Sequence, residues 1–182
     1  MNTIPYRCAL AFLMAAIALG SPVQTLIKPT DDLPNPYRPV ENYFKLPTGR
    51  AWGAISAIDV DKDGKSIWIA ERCGGNSGCP ASPTIDPVLL FDASGQLTRS
   101  FGAGMILSPH GIHVDREGNV WITDYADNGP RAARGTANPA VVASATKGQQ
   151  VLKFSPQGTL LMTLGKAGGG RDPDYFLSLI HI

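Results

Sequence analysis

Short runs of alternating apolar and polar residues recur along the chain in the same order. Ile58-Asp59-Val60-Asp61-Lys62-Asp63-Gly64 lies over Ile112-His113-Val114-Asp115-Arg116-Glu117-Gly118 at an offset of 54 residues. Each copy runs on into an apolar stretch with a tryptophan at its centre, Ser66-Ile67-Trp68-Ile69-Ala70 and Asn119-Val120-Trp121-Ile122-Thr123. A second pair of segments follows at an offset of 63, Val88-Leu89-Leu90-Phe91-Asp92-Ala93-Ser94-Gly95-Gln96-Leu97 against Val151-Leu152-Lys153-Phe154-Ser155-Pro156-Gln157-Gly158-Thr159-Leu160. Runs of this length and period, bounded by Asp/Ser-x-x-Gly, predict strands joined by tight turns. Each copy therefore predicts four short strands in an antiparallel meander. A meander with apolar residues on both faces cannot bury itself alone, and repetition every fifty to sixty residues is how propeller blades solve that problem. The prediction is an all-β fold with two four-stranded propeller blades, residues 51–108 and 109–176, whose strand patterns run from Ala57 to Gly102 and from Pro109 to Gly165. Two hairpins in a sandwich are the plainer alternative, and they leave the paired tryptophans without a reason.

The flanks follow other rules. Met1 to Arg7 carries one positive charge and no acid, Cys8 to Leu19 is unbroken apolar sequence, and Ala18-Leu19-Gly20 supplies a small-x-small pattern. Residues 1–20 thus predict a signal peptide, too short to span a bilayer comfortably. That implies a secreted or periplasmic protein with no stable membrane insertion after cleavage. Residues 21–50 read as a lead-in, in which Tyr43-Phe44-Lys45-Leu46 could form an outer strand closing a ring with the last blade. After Phe176 the pattern breaks off, and residues 177–182 read as a non-native tail. Two blades do not close a ring, so the expectation is the N-terminal part of a longer propeller of six blades, inactive as a fragment.

Composition narrows the picture. Twenty glycines and fifteen prolines make up about a fifth of the 182 residues, and charged residues only 17%. The formal charge of +1 leaves no footprint for nucleic acid or an anionic membrane. Beyond the leader the cysteines are Cys73 and Cys79, with Gly-Gly-Asn-Ser-Gly between them. In an exported chain this spacing favours a disulfide, since structural zinc usually takes two residues between its cysteines. Long excursions interrupt both copies at the same place, 73–87 and 126–149, and mark the rim where a ligand or a protein partner would bind. The second reads mostly as a solvated insertion. Asp59, Asp61 and Asp63 with Gly64 suggest part of a calcium loop, but no glutamate follows at the required spacing and a tight turn explains them better.

Pro109-His110-Gly111-Ile112-His113-Val114-Asp115-Arg116-Glu117-Gly118-Asn119-Val120-Trp121-Ile122-Thr123-Asp124 resembles an NHL-type propeller repeat, in particular that of the peptidyl-α-hydroxyglycine α-amidating lyases. The likeness runs from about Trp52 to Phe176. It implies a six-bladed ring holding one catalytic zinc through three histidines at the starts of inner strands, and His110 stands in such a position. It also implies that Arg72, closing Ile67-Trp68-Ile69-Ala70-Glu71-Arg72, is the substrate-binding arginine, a fixed guanidinium suited to a terminal carboxylate. The family usually has histidine before this arginine, where this chain has Glu71. The plainer reading of Arg72 is a surface arginine paired with Glu71 or Asp86. A structural calcium of the family takes backbone carbonyls, to which Ile58 and Ile112 correspond. Tyr125 is not the counterpart of the family's catalytic tyrosine, and His113 is expected to pack between blades.

Three functions remain open at this stage. One is a zinc lyase splitting a peptidyl-α-hydroxyglycine into a peptide amide and glyoxylate. The others are a non-enzymatic propeller binding a protein or glycan through its rim loops, and a lactonase-like propeller hydrolase.

Overall fold

The computed structural model describes residues 33–129 and 145–168. The predicted signal peptide, most of the second excursion and the tail 177–182 lie outside the described residues. Residues 33–39 belong to a separate unit and are exposed, without regular secondary structure. From Val40 onward the described residues are all-β apart from a single 3-10 turn, Cys79–Ala81. Its strands are β1 (Ile55–Val60), β2 (Ile67–Glu71), β3 (Val88–Phe91), β4 (Leu97–Phe101), β5 (Pro109–Val114), β6 (Val120–Asp127), β7 (Gly148–Phe154) and β8 (Leu160–Leu164). They form two antiparallel sheets of four, ordered β1-β2-β3-β4 and β5-β6-β7-β8, the meanders expected of consecutive propeller blades, and among the described residues no barrel closes.

Four turns share one chemistry. The amides of Gly64, Gly95, Gly118 and Gly158 donate to the carbonyls of Asp61, Asp92, Asp115 and Ser155 at 2.8–2.9 Å. Each of these glycines has a positive φ, from 70° to 88°. At Gly158 a side chain would also put its Cβ 2.6 Å from that of Phe101, so this turn must stay bare to let the sheets meet. The carboxylates do further work within the turns: Asp63 accepts from the Lys65 and Ser66 amides and the Ser66 hydroxyl, at 2.7 Å each. These hydrogen bonds, the Ser66 hydroxyl first, hold its carboxyl below the usual range. The tight-turn reading of Asp61, Asp63 and Gly64 is thereby met.

The tryptophans follow the repeat as well. Trp68 Nε1 donates to Asp61 Oδ1 at 2.8 Å and Trp121 Nε1 to Asp115 Oδ2 at 3.0 Å. The two differ in burial because the sheets stack in order. Trp68, Ala70, Val88, Leu90 and Phe101 face the second sheet and meet Val120, Ile122, Leu152 and Phe154, with Ile112 and Val114 packed alongside. The Phe101 and Phe154 rings lie 5.0 Å apart. By the offsets of 53 and 63, the Trp68, Val88, Leu90 and Phe101 face of the first sheet corresponds in the second to Trp121, Val151, Lys153 and Leu164, which face away from the first. β8 is exposed along its whole length.

Polar contacts pin the two sheets in register. Asp59 Oδ2 accepts from the Val114 amide at 2.8 Å, Lys62 Nζ donates to the Glu117 carbonyl at 3.0 Å, and Arg99 Nη1 donates to that of Pro156 at 2.6 Å. His113 joins this set with Nδ1 3.3 Å from Asp59, but its side chain is 72% exposed. The expectation that it packs between blades is therefore corrected: period-two alternation turns it away from the face that carries Ile112 and Val114. On the far side of the first sheet, Phe44 and Leu46 pack on Ile69, Leu89 and Phe91. Here Lys45 makes a parallel bridge to Gln96, so the 43–46 segment lies beside the β3–β4 turn of the first blade.

Candidate functional site

The excursion that follows Arg72 is closed at once by a disulfide between Cys73 and Cys79, as the spacing predicted. Cys73 holds a left-handed backbone, φ 51°, which turns the chain back on itself directly after Arg72. The loop then presents the Asn76 carbonyl, which accepts from Arg72 Nη1 at 3.0 Å. Beside this loop, Thr48, Arg50, Ser82, Thr84 and Asp86 line a cleft of about 490 Å³ open to solvent.

His110 owes its position to an irregularity. Pro109 pairs with Asp124 and Gly111 with Thr123, so His110 is the extra residue of a β-bulge at the start of β5. Ser56 occupies the same place in β1, between Ile55 opposite Glu71 and Ala57 opposite Ala70. A second bulge lies across the sheet: Asp124 pairs with Gln150 but Asp127 with Gly148, leaving Tyr125 and Ala126 against Gln149. Bulges re-aim side chains that alternation would send elsewhere. Here the result is a contact between the two bulges, with the rings of His110 and Tyr125 5.4 Å apart, edge to face. Arg72 reaches the same tyrosine, its Cζ 5.5 Å from the ring centroid. The two residues singled out from different repeats thus meet on a third that sequence reasoning had set aside.

The plainer reading of Arg72 is corrected. It is Arg50 whose Nη2 bonds Glu71 Oε1 at 2.8 Å and also donates to the Asp86 carbonyl. Glu71 itself is fully buried. Its other oxygen, Oε2, accepts from the amides of Gly53 at 2.8 Å and Gly74 at 2.9 Å. Asp124 is its repeat counterpart. Nearly as buried, it accepts from the Leu107 amide at 2.9 Å and the Ser108 amide at 2.7 Å. In each blade, then, a carboxylate on the second strand clamps the segment leading into the first. Sequence reasoning placed Glu71 as a departure from a family pattern and as a surface partner for Arg72, and missed it as a buried clamp; its alignment with Asp124, 53 residues on, was the available signal.

The two clamps differ electrostatically, since no cation pairs with Asp124 among the described residues. Burial pushes its pKa up to about 6 against the pull of the Leu107, Ser108 and Ala126 amides. A carboxyl with a raised folded-state pKa binds a proton in the native state that the unfolded chain has already lost. The sign is fixed by that difference: its stabilising share is complete below about pH 4 and disappears as pH rises through 6. The expected swing is about 2–3 kcal/mol. Urea titrations of the wild type and Asp124→Asn at pH 4 and pH 7 should show the wild type gaining on the variant at the lower pH, and a constant gap would refute the assignment. Asp115 behaves oppositely. Burial opposes its ionisation, but Lys153 at 3.0 Å, the Trp121 indole and Asn119 hold its carboxyl well below the usual range.

The described residues leave the zinc and calcium expectations untested. Among the described residues no group of three or more His, Cys, Asp or Glu side chains gathers around His110 or elsewhere. The described residues bring one imidazole, that of His110, to this place, and further ligands would have to come from outside them. Ile58 and Ile112 are strand residues of β1 and β5, paired with Ile69 and Ile122. Among the described residues no helix is long and apolar enough to cross a membrane.

Comparison with known proteins finds a curated relative. Peptidyl-alpha-hydroxyglycine alpha-amidating lyase 2 of Drosophila melanogaster is 27% identical over 196 residues, covering 83% of this chain and 46% of that protein. The chain thus spans about half the length of the curated relative it matches. A solved chain described as the crystal structure of the eukaryotic initiation factor covers 74% of this chain and 35% of its own. At 10% identity and a TM-score of 0.26, that likeness carries no argument. No protein-family profile matches.

Proposed function

We propose that this chain is part of a secreted NHL-type propeller that acts as a peptidyl-α-hydroxyglycine lyase. The observation that carries the reading is the meeting of Arg72 and His110 on the Tyr125 ring. The 27% identity to an amidating lyase supports it from an independent direction. In such a reaction the α-hydroxyl loses its proton, a C=O double bond forms, and the C–N bond breaks with its electron pair leaving on nitrogen. Return of a proton to that nitrogen gives the peptide amide, and the other product is glyoxylate. Arg72 has the role of holding the substrate carboxylate. Its Nε is buried and has no hydrogen-bond partner among the described residues, so an acceptor that completes it is favoured. We further propose His110 as the one zinc ligand these residues supply, and the Ile58 and Ile112 carbonyls as calcium ligands. No step is assigned to either metal.

The test is glyoxylate release from N-benzoyl-α-hydroxyglycine by the whole protein that carries this chain. Arg72→Ala is expected to raise KM by about 10- to 100-fold, the value of a charge-assisted hydrogen bond to a carboxylate. Loss of zinc from His110→Ala, read by metal analysis, is the matching expectation for the ligand. No glyoxylate from the unmodified protein would overturn the lyase reading, and zinc content unchanged by His110→Ala would overturn the ligand assignment. The cleft beside the disulfide loop favours a second reading, a propeller that binds a protein or glycan through its rim, and saturable binding without turnover would select it.

A further inference from the structure

The guanidinium of Arg72 is held from two directions by groups that no carboxylate-binding role requires. Nη1 is tied to the Asn76 carbonyl in the disulfide-closed loop of the first blade, and the cation lies over the Tyr125 ring of the second. Tyr125 is in turn fixed by its backbone. Its amide donates to the Ser108 carbonyl at 3.1 Å and its carbonyl accepts from the Gln149 side chain. The residue before it, Asp124, is the buried clamp on Leu107 and Ser108. A ring seated in a bulge between two such anchors is a rigid platform, and a cation over an aromatic face is attracted to it.

We propose that Tyr125 is a positioning residue: its ring, not its hydroxyl, sets the Arg72 guanidinium in place against the same ring that His110 meets, so that the arginine is preorganised for a carboxylate. The proposal deepens the lyase reading and rests on it for the identity of the ligand. The physical reason is that an arginine free to rotate loses side-chain entropy when it captures an anion, and a platform that has already fixed it removes that loss from binding. The contact also couples the blades, because the arginine comes from the first and the platform from the second.

The full chain is tested with hippurate, a non-reacting carboxylate that resembles the proposed substrate without its hydroxyl. Two readouts are taken by NMR, the ring-current shift of the Arg72 side-chain protons and the dissociation constant for hippurate. Tyr125→Phe keeps a ring and is expected to retain both. Tyr125→Leu is expected to lose the ring-current shift and to weaken hippurate binding about fivefold, in the range of a partly exposed cation–π contact. In an Arg72→Ala background, Tyr125→Leu should make no further difference to binding.

A Phe variant that behaves like the Leu variant would show that the hydroxyl matters and overturn the proposal. So would an equal loss in the Arg72→Ala background, since Tyr125 would then act without the arginine. Absence of the ring-current shift in the wild type removes the positioning contact whatever the activity. Presence of the shift with no hippurate binding by any form instead removes carboxylate capture, and with it the lyase reading, while the contact stands.

Discussion

Glu71→Ala is expected to destabilise the chain by about 3–5 kcal/mol, the range for breaking a buried ion pair from one side. Three donors converge on this carboxylate: Arg50 Nη2 and the amides of Gly53 and Gly74. Removing it strands the Arg50 charge, whose side chain is only 14% exposed, and two backbone N–H groups with it. Glutamine keeps the shape and one oxygen but sets an amine against a donor, so it should recover only part of the loss. Histidine, the residue common at this position in the amidating-lyase family, cannot accept from three donors and should not rescue. Urea denaturation gives the measurement, read as a lower midpoint at constant slope. A Glu71→Ala variant within about 1 kcal/mol of wild type would mean that the clamp contributes little to folding.

The second large effect concerns the paired tryptophans. Trp68→Ala should cost about 3–5 kcal/mol, because Trp68 is fully buried between the sheets, 5.5 Å from the Phe101 ring, and its indole satisfies Asp61. Trp121→Ala should cost clearly less in the same chain, about 1–2 kcal/mol, since its face looks away from the first sheet and is covered only in part. What it does lose is the seat of Lys153, whose Nζ lies 4.7 Å from the indole ring and bonds Asp115. Equal costs at the two positions would contradict the stacking order of the blades. Because the sequences around the two tryptophans match, a difference between them would measure what stacking alone contributes.

The arrangement has a consequence for how this fold builds a site. Each blade is closed by local devices, two glycine turns and a carboxylate clamp, and each clamp sits one residue before a side chain of interest. Arg72 follows Glu71 and Tyr125 follows Asp124. One and the same position in successive repeats therefore supplies the cation and its platform, each held by the buried group beside it. A site assembled this way is sensitive to the clamp, so loss of Glu71 should disturb Arg72 even where the sheet survives.

Much of this was legible in the sequence because it is local. The alternation, the Asp/Ser-x-x-Gly turns and the offsets between copies determined the strands, their number, the antiparallel meanders and the division into two sheets, since each depends on residues within a few positions of one another. The Cys73–Cys79 pairing was legible for the same reason, a short loop being able to bring its ends together. What the tertiary structure alone decided depends on distance in sequence and on broken periodicity. Which tryptophan is buried follows from stacking order, which identical motifs cannot encode. That Arg50 rather than Arg72 takes Glu71 depends on where the lead-in crosses the end of β2. The meeting of Arg72, Tyr125 and His110 depends on two bulges, and a bulge changes which way a side chain points by one extra residue that the alternating pattern does not reveal.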